Sequence, residues 1–169
     1  MIKIFNELKE ITYISYEKYK NLDDTITSIK LSADKWSLKE IIGHLIDSAA
    51  NNHQRFIRLQ ICSKLIFPDY QEDNNKWITL SQYNKMIYKN ILLLWKHYNI
   101  LLMNIIKNVG KKALSNYWIM DNKKFTLKEL IIDYIRHIKE HLEQFEKRWE
   151  EIIKQNIDSD KKWKRKSLL

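Results

Sequence analysis

Apolar residues recur every three or four positions along four long stretches of the chain, a spacing typical of amphipathic α-helices. The stretches run from Ile4 to Tyr19, from Ser37 to about Cys62, from Ser81 to Val109 and from Thr126 to about Ile157. Four helices of this length in one chain predict an all-α protein that folds as a four-helix bundle.

The same period assigns an inward face to two of the predicted helices. On the first helix the residues predicted to face inward are Ile4, Leu8, Ile11 and Ser15. On the third helix they are Tyr83, Ile87, Leu94, Tyr98, Leu101 and Ile105. Gly110 follows the third helix, at a position where a C-terminal cap favours a positive φ angle.

Two of the predicted helices begin with the same helix-capping motif. Residues 37–40 read SLKE and residues 126–129 read TLKE, and both fit the capping box, in which a hydroxyl and a carboxylate satisfy free amides of the first turn. An aromatic residue precedes each box, Trp36 in one case and Phe125 in the other. The segments align without a gap, either as a weak internal repeat or as two independent helix starts. The second and fourth helices therefore have the best-defined starts.

The longer connections also carry information about the topology. The segment from Ser63 to Thr79 contains the only proline and is too long for a tight antiparallel turn, so it favours a crossover after which the second and third helices run parallel. The segment from Lys111 to Phe125 is expected to hold a short hairpin or an irregular loop around residues 117–119.

Composition narrows the fold class further. The 169 residues include only two glycines and one proline, which argues against a sandwich or barrel of many short strands. The single cysteine excludes a disulfide framework within the chain and a cysteine-rich zinc site. No apolar run approaches the roughly 18 residues that span a bilayer, and the first residues do not resemble a signal peptide. We expect one cytoplasmic domain over residues 1–157, followed by a flexible basic tail over residues 158–169.

The net charge of +9 first suggests a nucleic-acid partner. Lysine outnumbers arginine 25 to 5, however, and isoleucine and asparagine are also abundant, which is typical of drift toward A/T-rich codons. The one dense basic cluster lies in the tail and offers only weak non-specific attraction to polyanions. Its members are Lys161, Lys162, Lys164, Arg165 and Lys166. Nucleic-acid binding is therefore the weaker interpretation of the charge.

Three of the five histidines lie where two helices of a bundle can bring them together. His137 and His141 are spaced i, i+4 on the fourth helix, which puts them about 6 Å apart on one face. His44 lies among apolar residues of the second helix, where a buried imidazole needs a partner. That partner is either a backbone carbonyl or carboxylate, or a metal ion shared with the other two. Such a site would be open at one or more positions and could hold zinc, nickel or another first-row ion.

The other two histidines do not fit this arrangement. His53 lies nine residues after His44, on the opposite face of the second helix, and is not expected to be a ligand. His97 stands alone on the third helix and is expected to be structural or exposed.

Polar residues on the same helix faces are candidates for substrate contacts. Asp47 and Tyr134 are placed to orient a bound ligand or a histidine, and Asn51 and Arg55 to bind substrate, with Arg55 holding an anionic group. The alternative for Asp47 is an ion pair with an arginine. Further residues on these faces are Arg58, Asp133, Gln144 and Arg148.

Residues 137–141 also read as H-x-x-E-H, the inverted zinc-protease signature, with Glu140 as the general base. Those enzymes need a distant glutamate ligand and a larger mixed fold, so we consider this interpretation weak.

Two segments of the chain resemble a known family. KWSLKEIIGHLIDSAANNHQRFIR, residues 35–58, and DYIRHIKEHLEQF, residues 133–145, are similar to the DinB-like superfamily, which includes the YfiT-type metal-dependent hydrolases. The resemblance covers about residues 5–150 and excludes the basic tail.

The resemblance implies a bundle of up-down-down-up order and a divalent metal, commonly zinc or nickel. The ligands it implies map onto His44, His137 and His141. Relatives include thiol S-transferases that use low-molecular-weight thiols such as bacillithiol or mycothiol; many members have no known reaction, and dimers are common.

The sequence thus leaves three functional interpretations. The first is a metal-dependent enzyme acting on a small molecule, as a hydrolase or a thiol S-transferase. The second is a non-catalytic, dimerising stress-response bundle in which the metal is structural or absent. The third is non-specific association with nucleic acid. Cys62 is expected to be a small core residue rather than a nucleophile, and the lack of a glycine-rich loop argues against nucleotide cofactors.

Overall fold

The structure is a computed structural model that describes residues 1–69 and 73–166, with side chains described through Asn156. Four long helices form the bundle: α1 (Ile2–Tyr19), α3 (Leu38–Ile61), α5 (Tyr88–Lys107) and α6 (Leu127–Lys166). Two short helices, α2 (Asp24–Thr27) and α4 (Asn74–Ser81), lie in the connections. Among the described residues, no helix is both long and apolar enough to cross a membrane.

The contacts between the long helices give their directions. Residue numbers fall along α6 as they rise along α3, so these two helices are antiparallel, whereas α3 with α5 and α1 with α6 are parallel. For α3 and α6 the contacts are Trp36–Arg148 and His44–His137. For α3 and α5 they are Lys39–Met86 and His53–Tyr98. For α1 and α6 they are Glu7–Lys139 and Tyr19–Glu146. The order is therefore up-down-down-up, and the predicted four-helix bundle is confirmed.

A small three-stranded sheet covers one end of α3 and α6. It consists of β1 (Lys64–Ile66), β2 (Tyr117–Met120) and β3 (Lys123–Thr126), in the order β1-β2-β3. β1 pairs parallel to β2, and β2 pairs antiparallel to β3. Asp121 and Asn122 turn the hairpin with φ angles of 48° and 61°, as a two-residue turn between twisted strands requires. The predicted hairpin is present, whereas β1 was not predicted.

Both predicted capping boxes are present, and they fix where α3 and α6 begin. In the first box the Ser37 amide donates to Glu40 Oε2 over 2.8 Å and the Glu40 amide to Ser37 Oγ over 3.2 Å. In the second, Thr126 and Glu129 make the same exchange over 2.8 and 3.2 Å. The rotational setting of both helices is therefore fixed within their first turn.

The prediction for the third helix was wrong in its start and in three of its six inward residues, whereas Tyr83 and Ile105 are buried as predicted. Gln82, with a φ of 51°, ends α4, and a 3₁₀ turn over Tyr83–Lys85 precedes α5, which begins only at Tyr88. Of the predicted inward residues, Ile87, Leu94 and Leu101 are 62%, 44% and 44% exposed. The residues that α5 buries are instead Tyr88, Ile91, Leu92, Trp95, Asn99, Leu102, Met103, Ile105 and Ile106. Because apolar residues surround most of this helix, their period does not select one face.

The ends of two helices also differ from expectation. α5 ends at Lys107 with Asn108 as its cap, and Gly110 has a φ of −66°, so this glycine is not the predicted left-handed cap. α6 continues to Lys166 instead of ending near Ile157, because no glycine or proline interrupts it. The basic side chains of the tail, and residues 167–169, lie outside what the structure describes, so flexibility of the tail stays a prediction.

Candidate metal centre

Three histidines from two antiparallel helices meet in the core of the bundle. One ring nitrogen from each of His44, His137 and His141 lies within 4.8 Å of the other two. The Nε2 atoms of His44 and His137 are 3.2 Å apart. His44 lies two turns into α3, and the i, i+4 pair lies in the middle of α6, so the two capping boxes set the positions of all three rings. Among the described residues, this is the one group of three or more histidine, cysteine, aspartate or glutamate side chains that could hold a metal ion.

Burial keeps the three imidazoles neutral. It lowers the pKa of His44 to about 3 and that of His137 to about 4, and the neighbouring histidines lower the pKa of His44 further. The pKa of His141 is also lowered, again mainly by burial. A neutral imidazole offers a lone pair on one ring nitrogen, which is the form that binds metals.

Two polar side chains orient the rings from outside. Gln144 Oε1 lies 2.8 Å from His141 Nδ1 and accepts its hydrogen bond, so the lone pair of His141 lies on Nε2. Ser48 Oγ lies 3.3 Å from His137 Nδ1, which leaves Nε2 of that ring facing His44. Ligating histidines are commonly held through their second nitrogen in this way. The three imidazoles therefore fit a first-row divalent ion.

The indole of Trp36 covers one side of this group. Its ring centroid lies 5.0 Å from that of His44 and 6.1 Å from that of His141, nearly parallel to the latter. Trp36 Nε1 donates to Asn75 Oδ1 on α4 over 2.9 Å, and the Trp36 carbonyl accepts from the Arg148 guanidinium on α6. The sequence identified Trp36 only as the aromatic residue that precedes the capping box of α3.

Two cavities adjoin the three histidines. The larger, about 530 Å³, lies between α3, α6 and the β2–β3 hairpin, and we call it the hairpin cavity. The smaller, about 380 Å³, opens beside His141 and Trp36, and we call it the Trp36 cavity. The hairpin cavity is lined by Ser48, Asn52, Arg55, Asp69, Trp118, Met120, Phe125, Glu129, Leu130, Ile132, Asp133, Tyr134, Arg136 and His137. The predicted centre is thus reachable from two sides.

Asp47 has a different partner from the one expected. Its Oδ1 accepts a 2.6 Å hydrogen bond from the Tyr83 hydroxyl, so the predicted alternative of an ion pair with arginine is not what the structure shows. Burial raises the pKa of Asp47 to about 6. Its second oxygen, Oδ2, has no hydrogen-bond partner among the described residues. Asp47 therefore faces the 3₁₀ turn before α5, and its predicted role at a bound ligand stays a prediction.

Tyr134 and Asn51 make contacts within the bundle. The Tyr134 hydroxyl donates to Asn99 Oδ1 on α5 over 2.8 Å, while the ring packs edge-on against Phe56. The Asn51 amide donates to the Asp47 carbonyl of its own helix over 2.9 Å. The first contact joins α6 to α5 and the second lies within α3, and the predicted roles of these residues toward substrate stay predictions.

Arg55 lines the hairpin cavity, as expected of a substrate contact, but it is already paired. Its guanidinium lies 2.8 Å from Asp69 Oδ1 and stacks over the Trp118 ring at 4.0 Å. Asp69 precedes the undescribed residues 70–72, and no spacing in the sequence connects it with Arg55. The partner of Arg55 was therefore missed by sequence reasoning, whereas Ser48 could have been found from its i, i+4 spacing to His44.

The remaining candidates lie apart from the three histidines or on the surface. His53 Nδ1 lies 3.3 Å from the Tyr98 hydroxyl, and His97 is exposed, in agreement with expectation. Glu140 pairs with Arg136 at the surface, which does not suit a general base. Of the other candidates, Arg58 donates a hydrogen bond to Gln54 Oε1, and Asp133 forms an ion pair with Arg136. The Cys62 thiol donates to the Arg58 carbonyl.

Substituting Asp47 with asparagine is expected to change how stability depends on pH. The pKa of Asp47 in the folded protein, about 6, lies above its ordinary value of 3.8. The contribution of Asp47 to the free energy of unfolding is therefore fully present below about pH 4 and is lost as the pH rises through 6. Asp47→Asn removes this loss while its amide oxygen can still accept from Tyr83. The variant should match the wild type near pH 4 and exceed it by about 3 kcal/mol at pH 7.5.

The measurement is urea unfolding of both proteins in chelator between pH 4 and 7.5. A difference in the free energy of unfolding that does not vary with pH would contradict the raised pKa.

No protein-family model matches the chain, and no curated protein matches it. Among solved structures it is similar to YfiT from Bacillus subtilis, described as "a probable metal-dependent hydrolase with an unusual four-helix bundle topology". The TM-score is 0.71 over 86% of this chain and 85% of that one, at 16% sequence identity. At this identity the likeness concerns the fold, and at that level it confirms the predicted resemblance.

Proposed function

We propose that this protein is a divalent-metal-dependent hydrolase of a small molecule, with His44, His137 and His141 as the metal ligands. The observation that carries the proposal is the convergence of three neutral imidazoles, two of them buried and one partly buried, beside a cavity. The description of YfiT as a metal-dependent hydrolase on the same fold supports it.

Three protein ligands suit a catalytic site better than a structural one, because structural zinc sites usually have four. The three-imidazole donor set suits zinc and nickel alike. A divalent ion at this position would supply Lewis-acid activation of water or of a substrate carbonyl at neutral pH.

The chain's own residues would prepare the site for this chemistry. Gln144 and Ser48 hold the Nδ1 atoms of two histidines, so the rings are oriented before an ion binds. Trp36 packs against the rings of His44 and His141. His137 lines the hairpin cavity, so a substrate in this cavity lies beside the proposed centre.

Thiol S-transfer is the second candidate function, and the presence of two cavities favours it. A thiol and its electrophile need separate binding places, and the Trp36 cavity provides a second one, beside His141. It is lined mostly by polar residues, namely Asp34, Lys35, Trp36, Asn75, His141, Gln144 and Arg148. A polar low-molecular-weight thiol fits this lining better than it fits the apolar hairpin cavity.

The two functions are separated by one set of assays on protein purified without chelator. We expect hydrolysis of simple chromogenic esters or amides that falls at least tenfold on chelation and returns with zinc or nickel. Conjugation of a low-molecular-weight thiol to a simple electrophile, without ester or amide hydrolysis, would favour the transferase. Failure to bind zinc or nickel would refute both and favour the non-catalytic bundle.

A further inference from the structure

We infer that the hairpin cavity binds an uncharged, largely apolar molecule through the neutralised Arg55–Asp69 pair, and that it disfavours carboxylates. This inference deepens the proposed function and rests on it, since it names the class of substrate that would lie beside His137. It also replaces the expectation that Arg55 holds an anionic group.

The size and walls of the cavity suit a small apolar ligand. Its volume of about 530 Å³ lies within the range of ordinary ligand pockets. Two of its sides are apolar: the hairpin contributes one and the buried face and rim of α6 the other. The side chains that form them are Trp118, Met120, Phe125, Leu130, Ile132 and Tyr134. The hydrophobic effect therefore favours a ligand whose body is aromatic or aliphatic.

The charges that line the cavity do not favour an anion. Arg55 and Asp69 form a 2.8 Å ion pair whose side chains are only 4% and 9% exposed. Arg136, the second arginine of the lining, pairs with Asp133 over 2.6 Å at the rim. With Glu129, the described lining contains three carboxylates and two guanidinium groups. A carboxylate that entered at the Arg55–Asp69 pair would lose its hydration without meeting a net positive charge among these side chains.

The ion pair instead suits a group that both donates and accepts hydrogen bonds. A guanidinium is a donor only and a carboxylate an acceptor only, so the two together complement an amide or a hydroxyl. A carboxylate ligand beside Asp69 would place two negative charges together in a buried place.

The length of the cavity connects this pair with the proposed metal centre. Arg55 follows Ser48 by seven residues on α3, a rise of about 10 Å, and Ser48 contacts His137. A ligand of that length would have its polar group at Arg55 and Asp69 and its other end beside His137.

A pair of probes tests the inference directly. 2-Naphthamide and 2-naphthoate share a ring system and nearly the same shape but differ in charge. With full-length protein in chelator, so that no metal ion attracts the carboxylate, we expect the amide to bind at least tenfold more tightly, as measured by fluorescence titration. Equal affinity, or tighter binding of the naphthoate, would overturn the inference.

Two variants locate the effect. Asp69→Asn removes the negative charge of the Arg55–Asp69 pair, so the preference for amide over carboxylate should fall at least tenfold; Glu10→Gln, on the exposed surface of α1, is the matched control and should not change it. Met120→Trp fills the cavity and should weaken both probes at least tenfold. An unchanged preference in folded Asp69→Asn, or unchanged binding in folded Met120→Trp, would refute the assignment. If Asp69→Asn does not fold, the inference is still tested by the preference of the wild type for the amide and by the affinity of Met120→Trp for both probes.

The design separates this inference from the proposed function. Any ion at the histidines contributes equally to the wild type and to Asp69→Asn, so it cancels from the change in preference. Loss of chelator-sensitive hydrolysis would refute the hydrolase and leave the probe result intact. A reversed probe preference together with chelator-sensitive hydrolysis would refute only the inference.

Discussion

Replacing His137 with alanine is expected to abolish metal binding, from about one divalent ion per chain to none retained after dialysis. The physical reason is the position of the ring: its Nε2 lies 3.2 Å from that of His44, and a ring nitrogen of His141 lies within 4.8 Å of both. Two imidazoles without the third leave a site with too few protein ligands for tight binding. The measurement is elemental analysis after loading with zinc or nickel and dialysis.

His53→Ala is the matched control for this result. His53 lies on α3 like His44, but its Nδ1 contacts the Tyr98 hydroxyl and not the other histidines. The His53 variant should retain its ion and its chelator-sensitive activity. A His137 variant that is folded by circular dichroism and still holds one ion per chain would refute the ligand assignment. Loss of the ion from both variants would point to a general defect rather than to the three-histidine site.

The sequence predicts the position of the three histidines because every step from residue to geometry is local. The capping boxes at Ser37 and Thr126 start two helices at known residues, and the helical period then sets the face of each ring. What brings the faces together is the antiparallel packing of α3 and α6, which the bundle supplies. The fold and the histidine cluster therefore follow from short-range rules and one topology.

Contacts from irregular segments could not be predicted in this way. Helical arithmetic places Asp47 and Arg55 on their own helix but does not say what a neighbouring segment brings to them. Tyr83 reaches Asp47 from a 3₁₀ turn that the sequence pattern merges with α5, and Asp69 reaches Arg55 from a loop. The ligand class that we infer for the hairpin cavity differs from the expected anion for this reason, since Arg55 pairs with Asp69.

Gly43 shows how one such contact constrains the sequence of α3. Glycine in the middle of a helix costs about 1 kcal/mol relative to alanine, and Gly43 lies directly before His44. A Cβ at this position would lie 2.6 Å from Tyr83 Cε2 and closer still to Cδ2 and Cγ. The Tyr83 ring is only 7% exposed and its hydroxyl is bonded to Asp47, so the ring cannot easily move away. Packing of the 3₁₀ turn onto α3 therefore requires a residue without a side chain.

Gly43→Ala is accordingly expected to destabilise the protein, although it improves the helix propensity of α3. Overpacking against Tyr83 should outweigh the gain, for a net loss of about 2 kcal/mol in the free energy of unfolding. For a chain of this length that corresponds to a fall of about 4–8 °C in Tm. The measurements are thermal unfolding and urea denaturation.

A double-mutant cycle with Tyr83→Ala identifies the cause, because removing the ring removes the clash. In that background Gly43→Ala should stabilise the protein by up to about 1 kcal/mol, the intrinsic preference of a helix for alanine. The change of sign is the decisive result, since a loss arising from any other feature of α3 would persist without the tyrosine. A Gly43→Ala variant as stable as the wild type would instead mean that the 3₁₀ turn moves freely, and that Tyr83 does not fix the position of Asp47.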